Sequence, residues 1–196
     1  MAPDDDKAHA ILDAARRTIA EKGFAGTTIT QVAARAGVSR GLLHYYFESK
    51  EDMLAQVVRS NVETTVAMVE AMFAHAGDAR KLAAALVGGL REVVEQHPDF
   101  FHVFFESWAI ARQSERVARE LETLYRRFRG AIQAGLTEAV RRGIVDRRRH
   151  PSLEGLAAVL TGLIDGLGLQ LVTEPELARR RGIWDACRAA VERTLG

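Results

Sequence analysis

Residues 28–50 read TITQVAARAGVSRGLLHYYFESK. Thr28 followed three residues later by Gln31 is a capping-box pattern, so a short helix is expected over 29–36. Gly37 ends it, because glycine accepts positive φ without steric cost. Ser39 then caps a second helix from Arg40 to Tyr46 or Phe47, and Ser49 with Asp52 starts a third. Two short helices joined by a tight Ala36-Gly37-Val38-Ser39 turn form a helix-turn-helix. Ala33, Ala36, Val38, Leu43 and Phe47 are its expected core. On the second helix Leu43 and Phe47 lie four apart on one side, whereas Arg40, Gly41, His44 and Tyr45 fall on the other. A cation, a glycine and hydrogen-bonding aromatics on one outward face suit the DNA major groove. An ordinary solvated amphipathic surface is the plain alternative for such a helix taken alone. Arginine can pair with guanine O6 and N7, and glycine lets the backbone approach closely.

Outward from this stretch, the chain reads as all-α. Its 196 residues are 47% hydrophobic and 27% charged, with four prolines. Ile11, Ala14, Ala15, Thr18 and Ile19 recur at helical spacing, predicting a first helix over 6–22 stopped by Gly23. Further helices are expected over 50–75, 79–96, from Pro98 onward, 115–142 and 152–172. A last one starts at a Thr173–Glu176 capping box around Pro175 and ends near Leu195. No apolar run is read as long enough to span a bilayer, and the polar, acidic start does not read as a secretory signal. The single cysteine, Cys187, fits a reducing cytoplasm.

The net charge of +1 conceals an asymmetry. Residues 7–50 hold seven cations (Lys7, Arg16, Arg17, Lys22, Arg35, Arg40, Lys50) against three carboxylates (Asp13, Glu21, Glu48), a net of +4. The positive excess therefore sits in the segment that holds the helix-turn-helix, where a phosphate backbone would feel it. An enzyme is the competing class. There is no glycine-rich phosphate loop, no Gly-x-Ser-x-Gly elbow and no metal-spaced His/Cys set, so neither catalysis nor a metal or cofactor is expected. Use of the helix-turn-helix for protein contacts alone is a further alternative.

The run from Thr28 to Leu54, with its threonine start, Ala-Gly-Val-Ser turn, Gly41, Leu-x-x-Tyr-Phe and Lys50, resembles the DNA-binding domain of the TetR family of bacterial transcriptional regulators. The likeness covers residues 7–54, and His44 stands where many members carry a phosphate-contacting tyrosine. It implies a DNA-binding domain over 1–49 with three helices and a larger helical ligand-binding and dimerisation domain over 50–196. Arg40 and His44 would then face base edges, with Gly41 letting the backbone come close, while Thr28, Thr30, Tyr45, Tyr46 and Lys50 hold phosphates. The implied protein is a cytoplasmic homodimeric repressor that leaves a palindromic operator when a small apolar effector binds.

Two further expectations concern the larger domain. Phe101, Phe104, Phe105 and Trp108 form an i, i+3, i+4, i+7 stripe that is either core or, with Met68 and Met72, a ligand cavity. His97, His102 and Glu106 are the candidate polar groups there. The segment SLEGLAAVLTGLIDGLGLQLV, residues 152–172, is apolar nearly all round and should be buried on most sides. Its glycines suggest close helix approach. Gly162, Asp165, Gly166 and Leu169, with Trp184 of the last helix, are assigned to a two-fold dimer interface. Packing inside one subunit is the alternative.

Overall fold

The structure is a computed structural model that describes residues 3–196, with side chains from residue 7 onward. The charges of the aspartates at 4–6 lie outside those side chains. Every regular element among the described residues is helical. The chain divides into two compact units, residues 1–62 with 99–124, and residues 63–98 with 125–196.

In the first unit, α1 (Pro3–Gly26) breaks at Gly23, whose φ of 69° is left-handed, so the direction changes where the sequence places a stop. The side chain and backbone of Thr28 exchange hydrogen bonds with Gln31 and open α2 (Ile29–Ala36). Gly37 closes α2 at φ 67°, and its neighbour Val38 donates to the Ala33 carbonyl. Ser39 caps α3 (Arg40–Tyr46) by accepting from Leu42 N at 3.2 Å. Ser49 accepts from Asp52 N at the start of α4 (Lys50–His75), and Asp52 in turn accepts from Glu48 N. Ile11, Ala15, Ile19, Val32, Leu43 and Phe47 are buried in one core, with Ala36 and Val38 at its edge. The core also takes in Val103 of α6 (Asp99–Ala111) and Val117 of α7 (Glu115–Arg141).

In the second unit, Asp78 caps α5 (Ala79–Gln96), and Gly143 leaves α7 at φ 73°. The guanidinium of Arg142 donates to the Phe73 and Ala76 carbonyls at the end of α4, so this arginine seals a helix terminus. Gly135 is required by packing, since a Cβ there would lie 2.3 Å from the Phe73 ring. After a single 3-10 turn (Arg147–Arg149) come α8 (Leu153–Thr173), the one-turn α9 (Pro175–Ala178) and α10 (Arg181–Leu195).

Three expectations are corrected here. The last helix is two helices. Thr173 does not cap it: its hydroxyl donates back to Leu169 O inside α8, and α9 starts without a side-chain cap. Trp184 Nε1 donates to Ala178 O, tying the start of α10 to the end of α9. Second, α8 is long and apolar enough by composition to cross a membrane, with a mean hydropathy of 1.7. Such a test is also passed by core helices, and Leu156, Ala157, Leu160 and Leu171 are buried in the unit. Third, α8 is not buried on most sides. Val159, Leu163 and Leu169 are 56%, 48% and 49% exposed, and a Cβ at Gly162 or Gly166 would meet nothing within 4 Å.

Candidate nucleic-acid interface

The core face of α3 is closed: Leu43 is fully buried. On the opposite side Arg40, Gly41, His44 and Tyr45 are all exposed, with Tyr45 at 80%. The face therefore follows the 3.6-residue period, anchored by Leu43 and Phe47 beneath it. Gly41 has ordinary helical backbone, and a Cβ there would reach only Ser39 Oγ at 3.9 Å. Nothing inside the chain requires glycine at this position, so what it provides is bare backbone toward the outside.

The electrostatics sharpen the charge argument. Of the cations in residues 7–50, Arg16 pairs with Asp13 at 2.7 Å and Asp99 at 2.9 Å, and Arg17 pairs with Asp13. Arg35 pairs with Glu21, and its guanidinium holds the Glu21 carboxyl below the usual carboxylate range. Arg40 has no ion-pair partner among the described residues, so its charge is uncommitted.

Lys50 is placed differently. Its Nζ donates to Phe24 O at 2.9 Å and Ala25 O at 3.3 Å, and lies 4.4 Å from the centre of the Phe24 ring. Two of its three N–H groups are thus committed to the end of α1, leaving one donor and the full charge. Tyr46 packs partly against the core and meets Tyr45 edge-on at 5.6 Å. Gln56 Nε2 donates to Tyr46 O and steadies the end of α3. Thr28 and Thr30 are exposed at the start of α2, where the helix dipole favours anions.

Two residues that hold this face in place escape a sequence reading. Arg116 of α7 pairs with Glu48 at 3.0 Å and with Asp52 at 3.1 Å, bracing the α3–α4 junction. Glu106 of α6 accepts from Phe24 N at 3.0 Å, satisfying the amide released where α1 breaks. Glu106 is thereby corrected from a candidate pocket group to a helix-break cap. His97 and His102 are both exposed.

The six expected ligand residues are divided between the units. Phe101, Phe104, Phe105 and Trp108 belong to the first, Met68 and Met72 to the second. Phe101 and Phe104 are buried and Phe105 is half-buried, whereas Trp108 is 56% exposed. The end of Met72 leans over Gly89 of α5. None of the six lines the apolar cavity of about 290 Å³ that the second unit contains between α5, α7, α8 and α10. Of the residues assigned to a dimer face, Gly162, Gly166 and Leu169 are exposed. Asp165 is half-buried and accepts from Tyr125 OH at 2.8 Å; burial pushes its carboxyl above the ordinary range, and the tyrosine hydrogen bond partly offsets this. Trp184 is only 6% exposed and packs with Val87 and Leu171, so it supports the exposed face from beneath and does not lie on it.

Residues 11–57 match the family of bacterial regulatory proteins, tetR family, and residues 79–196 match the C-terminal region of BetI-type transcriptional repressors. The HTH-type transcriptional regulator BetI of Rhizobium meliloti (strain 1021) is 30% identical over 154 residues, covering 79% of this chain and 74% of that protein. Among solved structures, FadR of Bacillus subtilis in complex with stearoyl-CoA superposes with a TM-score of 0.78 at 17% identity, covering 96% of this chain and 98% of that one. Salmonella enterica GusR gives 0.77 at 21% identity, over 100% and 98%. The chain belongs to the TetR family of bacterial regulatory proteins and is a transcriptional regulator of TetR/BetI type.

Proposed function

We propose that this regulator is a ligand-responsive repressor that binds a palindromic operator as a homodimer in the cytoplasm and leaves it when a small apolar effector binds. The observation that carries the DNA contact is the exposed face of α3, with an uncommitted Arg40 beside a glycine that packing does not require. Arg40 and His44 face base edges, and Gly41 lets the backbone come close. Thr28, Thr30, Tyr45, Tyr46 and Lys50 hold phosphates on either side. The subunits pair through the exposed faces of α8 and α10. Recognition helices one helical turn apart on the operator are then separated by about 34–36 Å.

Arg40→Ala is expected to relax preference at one base position per half-site, by roughly 1–3 kcal/mol. Fluorescence anisotropy against a set of single-base operator variants reads this out, and unchanged ranking of the variants would refute the assignment. Lys50→Ala is expected to weaken all sequences about equally and to reduce the slope of log K against log salt by about one. Its loss also frees the Phe24 and Ala25 carbonyls, so a slight fall in melting temperature accompanies the change. The whole reading is tested by capturing genomic fragments on the protein and footprinting the bound sites. A two-fold symmetric footprint is the expected result. Binding that is uniform across unrelated sequences would sink it.

A further inference from the structure

The turn from α1 into α2 delivers the exposed start of α2, and it is held from two distant places. Local bonds give the turn its shape. Thr27 Oγ1 donates to Gly23 O at 2.8 Å, Thr27 N to Phe24 O at 3.2 Å, and Thr28 N to Gln31 Oε1 at 3.1 Å. Two side chains from other helices then fix its direction. Lys50 of α4 takes the Phe24 and Ala25 carbonyls, and Glu106 Oε2 of α6 takes the Phe24 amide at 3.0 Å. A Cβ on Gly23 would lie 3.1 Å from Glu106 Oε1, so the glycine makes room for the carboxylate as well as accepting its φ of 69°. Phe24 and Thr27 are both buried, which leaves the turn little freedom once these bonds are made.

Thr28 follows directly. Its Oγ1 accepts from Gln31 N, and the hydroxyl hydrogen remains to donate. Thr30 stands exposed in the first turn of the same helix. A hydrogen bond from either hydroxyl to a phosphate oxygen is lost when the donor moves by about an ångström. The recognition helix is held by other means: Leu43 and Phe47 anchor it in the core, and Gln56 steadies its end through the Tyr46 carbonyl. Its hold on the base edges does not pass through the Phe24 amide.

We propose that Glu106 is a positioning residue for operator binding: through the Phe24 amide it aims the start of α2, and with it Thr28 and Thr30, at a phosphate, and it takes no part in reading bases. The proposal rests on the reading that these threonines hold phosphates. Charge and hydrogen bond act in opposite directions here. Removing a carboxylate from a DNA-binding unit favours the approach of phosphates, whereas removing the acceptor releases the turn that aims the threonines.

Substitutions at position 106 separate the two. Glu106→Gln loses the charge and keeps an oxygen at the same reach. Glu106→Asp keeps the charge and is one methylene short. Glu106→Ala loses both. Operator fragments recovered by the genomic capture are titrated by anisotropy, ethylation interference maps the phosphates that matter, and hydrogen exchange followed by NMR reports the Phe24 amide. Thr30→Ala marks the phosphate held at the start of α2. Glu106→Asp and Glu106→Ala are expected to weaken operator binding about threefold in each half-site, hence about tenfold in all. They should speed exchange of the Phe24 amide about tenfold or more, and lose interference only at the marked phosphate. Glu106→Gln should stay within about twofold of native, and the ranking of single-base operator variants should not change in any of them. Val117→Ala, which truncates a buried residue of the same core, should lower the melting temperature and keep the native interference map. The Glu106→Asp and Glu106→Gln pair decides the matter even where Glu106→Ala folds poorly. Native affinity and a native map for Glu106→Asp refute the positioning role, as does an equal loss with Glu106→Gln, or loss of the same phosphate with Val117→Ala. A map that Thr30→Ala leaves unchanged removes the phosphate contact at α2, and the proposal with it.

Discussion

Gly166→Arg is expected to yield a folded chain that no longer dimerises and no longer holds its operator. A Cβ at this position meets no atom within 4 Å in the single chain, and the longer side chain starts from an exposed position, so the substitution should cost little in folding. Pressed into the α8 face it would bury a guanidinium without a partner, which a subunit contact does not tolerate. The isolated subunit keeps one recognition helix and falls to the non-specific regime. Operator affinity should drop by about a thousandfold or more, the usual gap between specific and non-specific binding. Sedimentation, circular dichroism and anisotropy on one preparation separate the effects. An arginine variant that remains dimeric with native operator affinity would place the subunit contact elsewhere.

Leu43→Ala should have the largest effect on stability. Leu43 of α3 is fully buried in the core of the first unit, and truncating such a leucine removes about 2–5 kcal/mol. For a chain of this size, that lowers the melting midpoint by roughly 5–15 °C. Arg40 lies only three residues away on the same helix, yet Arg40→Ala should leave the midpoint unmoved and change only DNA discrimination. The pair contrasts the two faces of α3 directly. Equal melting temperatures for the two variants would contradict the packing of that helix.

Signals that act within a few residues were the legible ones. Thr28 with Gln31, Gly37 and Ser39 each bond to a backbone group three or four positions away, so they set α2 and α3 correctly from sequence. The helical period alone then separated Leu43 and Phe47 from Arg40 and His44. What was not legible depends on groups far apart in the chain. Lys50 reaches carbonyls 25 and 26 residues before it, and Glu106 reaches back 82. No spacing rule announces such pairs. Helix α8 posed a different difficulty: a sequence apolar on all sides does not distinguish burial against its own chain from an outward face. The cavity, lined by four separate helices, has no sequence signature.

The glutamate that satisfies the Phe24 amide bears on how such regulators can be recombined. A hybrid made by cutting after residue 49 would carry α1 to α3 away from Glu106 and Arg116. The broken turn at Gly23 would then keep an amide with no acceptor, and Glu48 would lose the guanidinium of Arg116. The transplantable module is therefore discontinuous in sequence. It comprises residues 1–62 together with 99–124, and a graft carrying both segments carries the reading head with its own braces.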